Sequence, residues 1–357
     1  MLNHEAFMSR AIELAKMGRG SVSPNPLVGC ILVKDGEIIG EGYHERFGGE
    51  HAEVMAFRNA IKDPIDCSVY VNLEPCNIKS KTPPCTKFLK ENGAAEVFIS
   101  TIDPNPDISG KGIEDLNRMN IKTTLGVLKD EAKKINKGFF KWVKTGKPWL
   151  ITKIAQSSNR KMGKDSTSSY WITNDMSRKH SHSLRSEVDA ILIGKNTAKV
   201  DNPSLTVRLV NGNNPIRVIT DTHRTLPQDL SLFTDNESST IVLCSSNQFA
   251  DNHTSHCEYI GVNEINDLLD PSSILLELAN HGITSLLLEG GPSLIRSFYE
   301  EDLIDEIYEY TSPEELDAVN MDNPINIDDS WEYADRVNLG DDTLKVFLKK
   351  EVECLVE

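Results

Sequence analysis

Three short stretches of this chain carry the residue types of a metal centre: His51-Ala52-Glu53, Leu73-Glu74-Pro75-Cys76 and Thr82-Pro83-Pro84-Cys85. One imidazole and two thiolates make a three-ligand set for zinc that leaves the fourth position to water. Glu53 lies two residues from His51, so it can stand beside the metal without ligating it and carry protons to and from that water. Both cysteines adjoin prolines at expected helix starts, where the helix dipole favours the thiolate that metal binding requires. Taken singly, His-x-Glu is ordinary helix surface, and two cysteines nine positions apart can be core thiols. Taken in order, with no fourth protein ligand standing out between 76 and 85, they read as a catalytic rather than a structural zinc site.

The chain that must position them has 357 residues, enough for two domains with cores of their own. Apolar residues at 39% and charged residues at 26% give a globular balance, which excludes disorder, collagen and coiled coil as overall descriptions. Lys plus Arg number 38 against 54 Asp plus Glu, a net charge of −16. Such a field repels a phosphate backbone, so small molecules rather than nucleic acid are the expected partners. Apolar stretches such as 27–33 are too short to span a bilayer, and the first residues, with His4, Glu5 and Arg10 among them, form no signal-peptide core. The expectation is a soluble, cytoplasmic protein. Seven cysteines, an odd number, argue against a disulfide scaffold. Of these, Cys30, Cys67 and Cys244 lie in apolar runs and read as core residues.

Periodicity predicts a helix over 5–17, ended by Gly18 and Gly20. Strands over 27–33 and 37–43 flank an Asp35-Gly36 turn, a hairpin signal. A helix over 51–62, a strand over 67–73, a helix opened by Thr82-Pro83-Pro84 and a strand over 96–101 follow, then a helix over 129–143. Alternation of this kind implies an α/β domain with helices packed on a sheet, and 144–148 is the best boundary. Beyond it, strands are expected at 149–154, 190–193, 215–220, 240–244, 284–288 and 305–311, with helices at 174–186, 272–280 and 292–301. The acidic stretch over 299–316 reads as a solvated face. No G-x-G-x-x-G follows a strand, so a Rossmann dinucleotide site has no support. Instead Glu289-Gly290-Gly291-Pro292-Ser293 stands between a buried strand and a helix, where backbone amides suit a phosphate.

The ordered His-x-Glu and paired cysteines follow the layout of zinc nucleobase deaminases. With the stretches 23–29, 42–44 and 103–106 added, the first half resembles the bifunctional riboflavin-biosynthesis deaminase/reductase family (RibD type). The resemblance implies an N-terminal cytidine-deaminase-like three-layer α/β domain over 1–145 that deaminates a phosphoribosylated diaminopyrimidinone. It gives His51, Cys76 and Cys85 as zinc ligands and Glu53 as the proton carrier. Substrate contacts would come from Asn25, His44 and Lys81. The family loop usually reads Cys-Ser-His-x-Gly-Lys/Arg, whereas this chain has Cys76-Asn77-Ile78-Lys79-Ser80-Lys81.

The second half resembles the reductase of the same family in Tyr170-Trp171, Arg185-Ser186, 189–208 and Glu289-Gly290-Gly291. That implies a dihydrofolate-reductase-like α/β domain over 146–357 that uses NADPH to reduce a ribose to a ribityl chain. NADPH would meet Ala155, Trp171, Thr197, Asp201, Thr222, Gly291, Pro292 and Ser293. Substrate would meet Ser169, Arg185, Leu205, Arg208 and Glu289, with the two arginines suited to a phosphate. Two stretches depart from the family. Ala-Ser-x-Asp-Gly is replaced by Gln156-Ser157-Ser158-Asn159-Arg160, losing a charge and backbone freedom, and Pro-Lys-Leu-Leu/Ile-Gly by Pro313-Glu314-Glu315-Leu316-Asp317. These departures motivate an alternative, a deaminase with a non-catalytic second domain. Family resemblance also implies a homo-oligomer.

Overall fold

The computed structural model describes residues 3–78, 83–164, 171–249, 257–317 and 319–350. The chain divides into two compact units, Met1–Gly146 and Lys147–Glu357.

In the first unit the order is α1 (His4–Lys16), β1 (Gly29–Lys34), β2 (Glu37–Tyr43), α2 (Ala52–Arg58), β3 (Ser68–Leu73) and α3 (Cys85–Glu91). Then come β4 (Glu96–Thr101), α4 (Lys111–Arg118), β5 (Lys122–Leu125), α5 (Lys129–Ile135) and α6 (Lys137–Thr145). The sheet runs β2-β1-β3-β4-β5; β1 is antiparallel to both neighbours, and β3, β4 and β5 are parallel. Alternation along β1 divides the core. Cys30 and Leu32 pack with Ala56, Leu89 and Leu116 of α2, α3 and α4, whereas Ile31 and Val33 pack with Met8 and Ala11 of α1 and Ala132 of α5. The unit is therefore a three-layer sandwich.

The second unit opens with β6 (Trp149–Gln156), β7 (Lys161–Lys164), α7 (Asp175–Arg185), β8 (Ala190–Gly194), α8 (Lys195–Asp201) and β9 (Ile216–Thr220). It continues with α9 (Ser231–Thr234), β10 (Thr240–Ser245), β11 (Cys257–Val262), β12 (Glu264–Ile265), β13 (Leu268–Leu269), α10 (Pro271–Asn280) and β14 (Ser285–Leu288). The last elements are α11 (Pro292–Glu300), β15 (Glu306–Thr311), β16 (Asn320–Asp322), β17 (Trp331–Leu339) and β18 (Asp342–Lys349). Nine strands form one sheet in the order β11-β10-β9-β8-β14-β6-β15-β18-β17. It is parallel from β11 to β15 and antiparallel at β18 and β17. Leu275, Leu278 and Phe298 of α10 and α11 cover one face, and Leu184 and Ala198 of α7 and α8 cover the other.

Several expectations are corrected here. The 129–143 helix is two helices, broken at Asn136, whose side chain bonds a distant loop instead of continuing a surface. The 51–62 helix stops at Arg58. Only Cys85 starts a helix; Cys76 lies in the irregular segment after β3. The acidic stretch over 299–316 is not one solvated face, because β15 runs through it and buries Glu306 and Glu309. Trp149 donates its indole N–H to Glu306 at 2.9 Å, which satisfies that buried carboxylate. Cys30, Cys67 and Cys244 are buried core residues.

Candidate functional site

His51 caps the start of α2 in extended backbone (ψ 158°), and Glu53 follows in the first turn with only 3% of its surface exposed. Cys76 is delivered by the segment leaving β3. That segment is anchored by Glu74, a buried carboxylate accepting backbone N–H groups of Asp103 (3.2 Å), Gly110 (2.9 Å) and Ile113 (3.1 Å). Packing there is so close that a Cβ on Gly112 would lie 2.2 Å from the Pro75 carbonyl oxygen. Cys85 is the first residue of α3. His51 Nδ1 lies 3.1 Å from Cys85 Sγ and 3.6 Å from Cys76 Sγ, and the donor atoms of all three residues fall within 4.8 Å of one another. The Cys85 backbone N–H points at Cys76 Sγ, 3.4 Å away. The helix start thus favours the thiolate of the other cysteine, which corrects the sequence picture of two helix-start cysteines.

Charge at this cluster is shared unevenly, with the anion on Cys76. The Cys85 thiol hydrogen bond, His51 and the α3 amide hold the Cys76 thiol down at about 4 against burial. The same bond, burial and Glu53 push Cys85 up. Hydrogen bonding to Cys76 raises His51 to about 9. Burial raises Glu53, with Cys76 adding to it and His51 opposing. One imidazole and two sulfurs converging with a protonatable carboxyl beside them is the donor set that zinc takes.

Beside the cluster, His44 and Asn25 meet. His44 Nδ1 donates to the Glu50 carbonyl at 2.9 Å, since a carbonyl only accepts. Burial lowers the His44 pKa, and the neutral ring leaves Nε2 to accept from Asn25 Nδ2 at 3.0 Å. The Asn25 amide is thereby oriented with Oδ1 turned away from His44. The His44 and His51 rings stand edge to face, 5.8 Å apart. Lys81 lies outside the described residues.

In the second unit several of the named residues lie at the C-terminal ends of parallel strands, where open α/β sheets bind ligands. Ala155 lies on β6, Thr222 just after β9, and Glu289 to Ser293 after β14. Thr197 and Asp201 lie on α8, and a Cβ on Gly291 would sit 3.9 Å from Thr197 Oγ1. Gly291, in extended backbone, is the N-cap of α11, with Pro292 in its first turn. Trp171, 68% exposed, lies under the Arg178 guanidinium at 5.0 Å. Leu205 is buried with φ at +53°, a backbone state that side-chain-bearing residues seldom adopt. Ser169 lies outside the described residues.

Arg185 turns its fork inward: Nε and Nη2 each donate to Glu289 at 2.8 Å. Burial would raise Glu289, but Arg185, Lys153 and His182 outweigh it and hold the carboxyl at about 2. Arg208 donates its backbone N–H to His182 Nδ1 (3.0 Å) and its side chain to Thr206 Oγ1 (2.9 Å). Burial and the neighbouring cations Arg185, Arg208 and Lys153 lower His182 to about 4. Sequence reasoning missed Lys153, His180, His182 and Tyr310. His180 Nδ1 lies 2.8 Å from the Tyr310 hydroxyl, and Lys153 Nζ stands 5.8 Å from the Tyr310 ring. Lys153 was findable, since it shares a strand face with Ala155 two residues on.

The two departures from the family pattern touch each other. Asn159 Nδ2 donates to the Leu316 carbonyl at 2.8 Å, and Leu316 N–H donates back to Oδ1 at 3.2 Å. A carboxylate could not supply that donor. Arg160 keeps the left-handed backbone (φ +58°) that a glycine adopts freely, and its guanidinium donates to the Ile325 carbonyl.

Fold and sites together define a two-unit enzyme, a cytidine-deaminase-like zinc domain followed by an α/β reductase domain. Residues 1–101 match the family model of the cytidine and deoxycytidylate deaminase zinc-binding region, and residues 148–316 match that of the RibD C-terminal domain. The riboflavin biosynthesis protein RibD of Actinobacillus pleuropneumoniae is 36% identical over 89% of this chain and 86% of its own. That of Aquifex aeolicus is 37% identical over 86% of each. A Thermotoga maritima diaminohydroxyphosphoribosylaminopyrimidine deaminase/5-amino-6-(5-phosphoribosylamino)uracil reductase superposes with TM-score 0.87 at 34% identity, covering 97% of this chain and 98% of that one. The chain belongs to the RibD family of bifunctional riboflavin-biosynthesis enzymes, with zinc and NADPH as cofactors. Among the described residues no helix is long and apolar enough to cross a membrane.

Proposed function

We propose that the first unit hydrolytically deaminates diaminohydroxyphosphoribosylaminopyrimidine and that the second reduces the ribose of 5-amino-6-(5-phosphoribosylamino)uracil to ribityl. The observation that carries the first step is the convergence of His51, Cys76 and Cys85 with buried Glu53 beside them. These three residues hold zinc, which supplies a Lewis acid that makes water nucleophilic. Glu53 would take one proton of the attacking water and give it to a ring nitrogen, then carry the second, from the added hydroxyl, to the amino group that leaves as ammonia. Its raised pKa suits a group that must both accept and return a proton. Asn25, oriented by His44, offers its carbonyl oxygen to an N–H of the pyrimidine, and Lys81 serves the phosphate.

For the second step, NADPH supplies hydride. Ala155, Trp171, Thr197, Asp201, Thr222 and the Gly291-Pro292-Ser293 turn bind it. Ser169, Leu205, Arg208 and Glu289 hold the sugar phosphate, with Arg185 fixing Glu289. A cytoplasmic homo-oligomer that binds no nucleic acid completes the reading, and sedimentation of the purified chain tests the assembly. The chemistry is tested by ammonia release from the diaminopyrimidine. It should vanish when zinc is chelated and return when zinc is restored; release that survives complete removal of zinc would refute the proposed centre.

A further inference from the structure

The loop that presents Asn25 is held from a distance. Leu27, two residues on, lies before the first pairings of β1, so neither its N–H nor its carbonyl is satisfied by the sheet. Both are met by buried carboxamides. Asn136 Oδ1 accepts the Leu27 N–H at 2.8 Å, and Asn136 Nδ2 donates to the Leu27 carbonyl at 2.9 Å. Asn72 Nδ2 donates to the second lone pair of that carbonyl at 2.9 Å, and its Oδ1 accepts the Gly29 N–H at 2.8 Å. Each amide has one orientation that satisfies its partners, so the geometry is unambiguous. Asn72 is 0% exposed and Asn136 is 3% exposed. Asn136 stands where α5 ends and α6 begins, so the break in that helix serves the loop.

We infer that Asn136 is a positioning residue of the deaminase site: its carboxamide clamps both backbone groups of Leu27 and thereby fixes Asn25 against His44. Pro24 and Pro26 flank Asn25 and have no N–H to give. The loop is otherwise pinned by Asn25 N–H to the Val22 carbonyl (2.9 Å) and by His44 N–H to the Val28 carbonyl (2.9 Å). Without the Asn136 carboxamide the Leu27 N–H loses its acceptor, the Leu27 carbonyl keeps only Asn72, and the Asn25 amide loses its register with the His44 ring. Asn72 assists from β3.

The inference rests on the deaminase reading, and two measurements on the full chain separate their failures. In N136S the KM for the diaminopyrimidine substrate should rise at least tenfold, with zinc content unchanged and NADPH oxidation on supplied deaminated substrate within twofold in the same preparation. A smaller folded fraction lowers kcat but leaves KM alone, so an unchanged KM with zinc bound overturns the inference. Should N136S not fold, N72T serves instead. Threonine cannot both accept from Gly29 and donate to Leu27 across that span, and a KM rise of about threefold is expected, with no rise counting against the clamp. Hydrogen exchange reads the clamp whatever substrate the site takes. The Leu27 amide should exchange at least tenfold faster in N136S than in the wild type, and equal rates overturn it.

Discussion

The two sites of this enzyme are built on opposite plans. In the first unit three side chains of scarce types converge within 4.8 Å, and their chemistry is local. In the second, the candidate residues spread along the ends of β6, β9 and β14 and the helices α7, α8 and α11, and among them Arg185, Glu289, His182, Lys153 and Arg208 form a charge network centred on the Arg185–Glu289 fork. A convergent site fails when one atom is removed. A distributed site fails when its framework loosens, so the two should respond differently to mutation, acid and chelation.

The largest expected effect lies in the first unit. E53Q should lower deamination about a thousandfold while leaving bound zinc, and NADPH oxidation on supplied deaminated substrate, intact; metal analysis beside both assays checks it. A loss of zinc with the activity would mean that the carboxyl supports the centre rather than moving protons.

Next in size is the framework of the second unit. Breaking the buried pair with E289Q should destabilise that unit by about 3 kcal/mol, read by chemical unfolding of the full chain. Acid should act in two stages. His182 sits below its ordinary 6.5, at about 4, so the stability of its neutral form is complete above about 6.5 and is lost as pH falls towards 4. Glu289, held at about 2, contributes stability that is complete above about 4.5 and is lost as pH falls towards 2. The variant H182Q should remove the first stage and leave the second; a single transition unchanged by H182Q would contradict the network.

The smallest effect concerns the two departures. N159D removes the donor to Leu316 and should cost about 1 kcal/mol, given an exposed position. Urea titration of the second unit measures this, and equal stability would show that the contact between the two segments is idle.

The same contrast explains what could be read in advance. The zinc residues were legible because few chemistries call for His-x-Glu with two prolyl cysteines, and the α/β order followed from strands such as β3 and β4, with apolar runs at 69–71 and 97–99. Asn136 was hidden because its partner Leu27 lies 109 positions away, and the amphipathic pattern of 129–143 runs smoothly across it. The strands β16 to β18 were missed because alternation with Glu332, Asp335 and Arg336 on an exposed edge gives no apolar run. Asn159 and Arg160 read as losses from the family pattern; the Leu316 bonds and the retained left-handed turn became visible only once distant segments were brought together.

One chain is proposed to carry both activities in sequence. Absorbance loss of NADPH, followed with purified protein and the diaminopyrimidine substrate alone, tests it most directly, because hydride transfer then depends on prior deamination. Steady loss is expected, abolished by E53Q and restored by added deaminated product. No loss with either compound, or loss indifferent to E53Q, would contradict it.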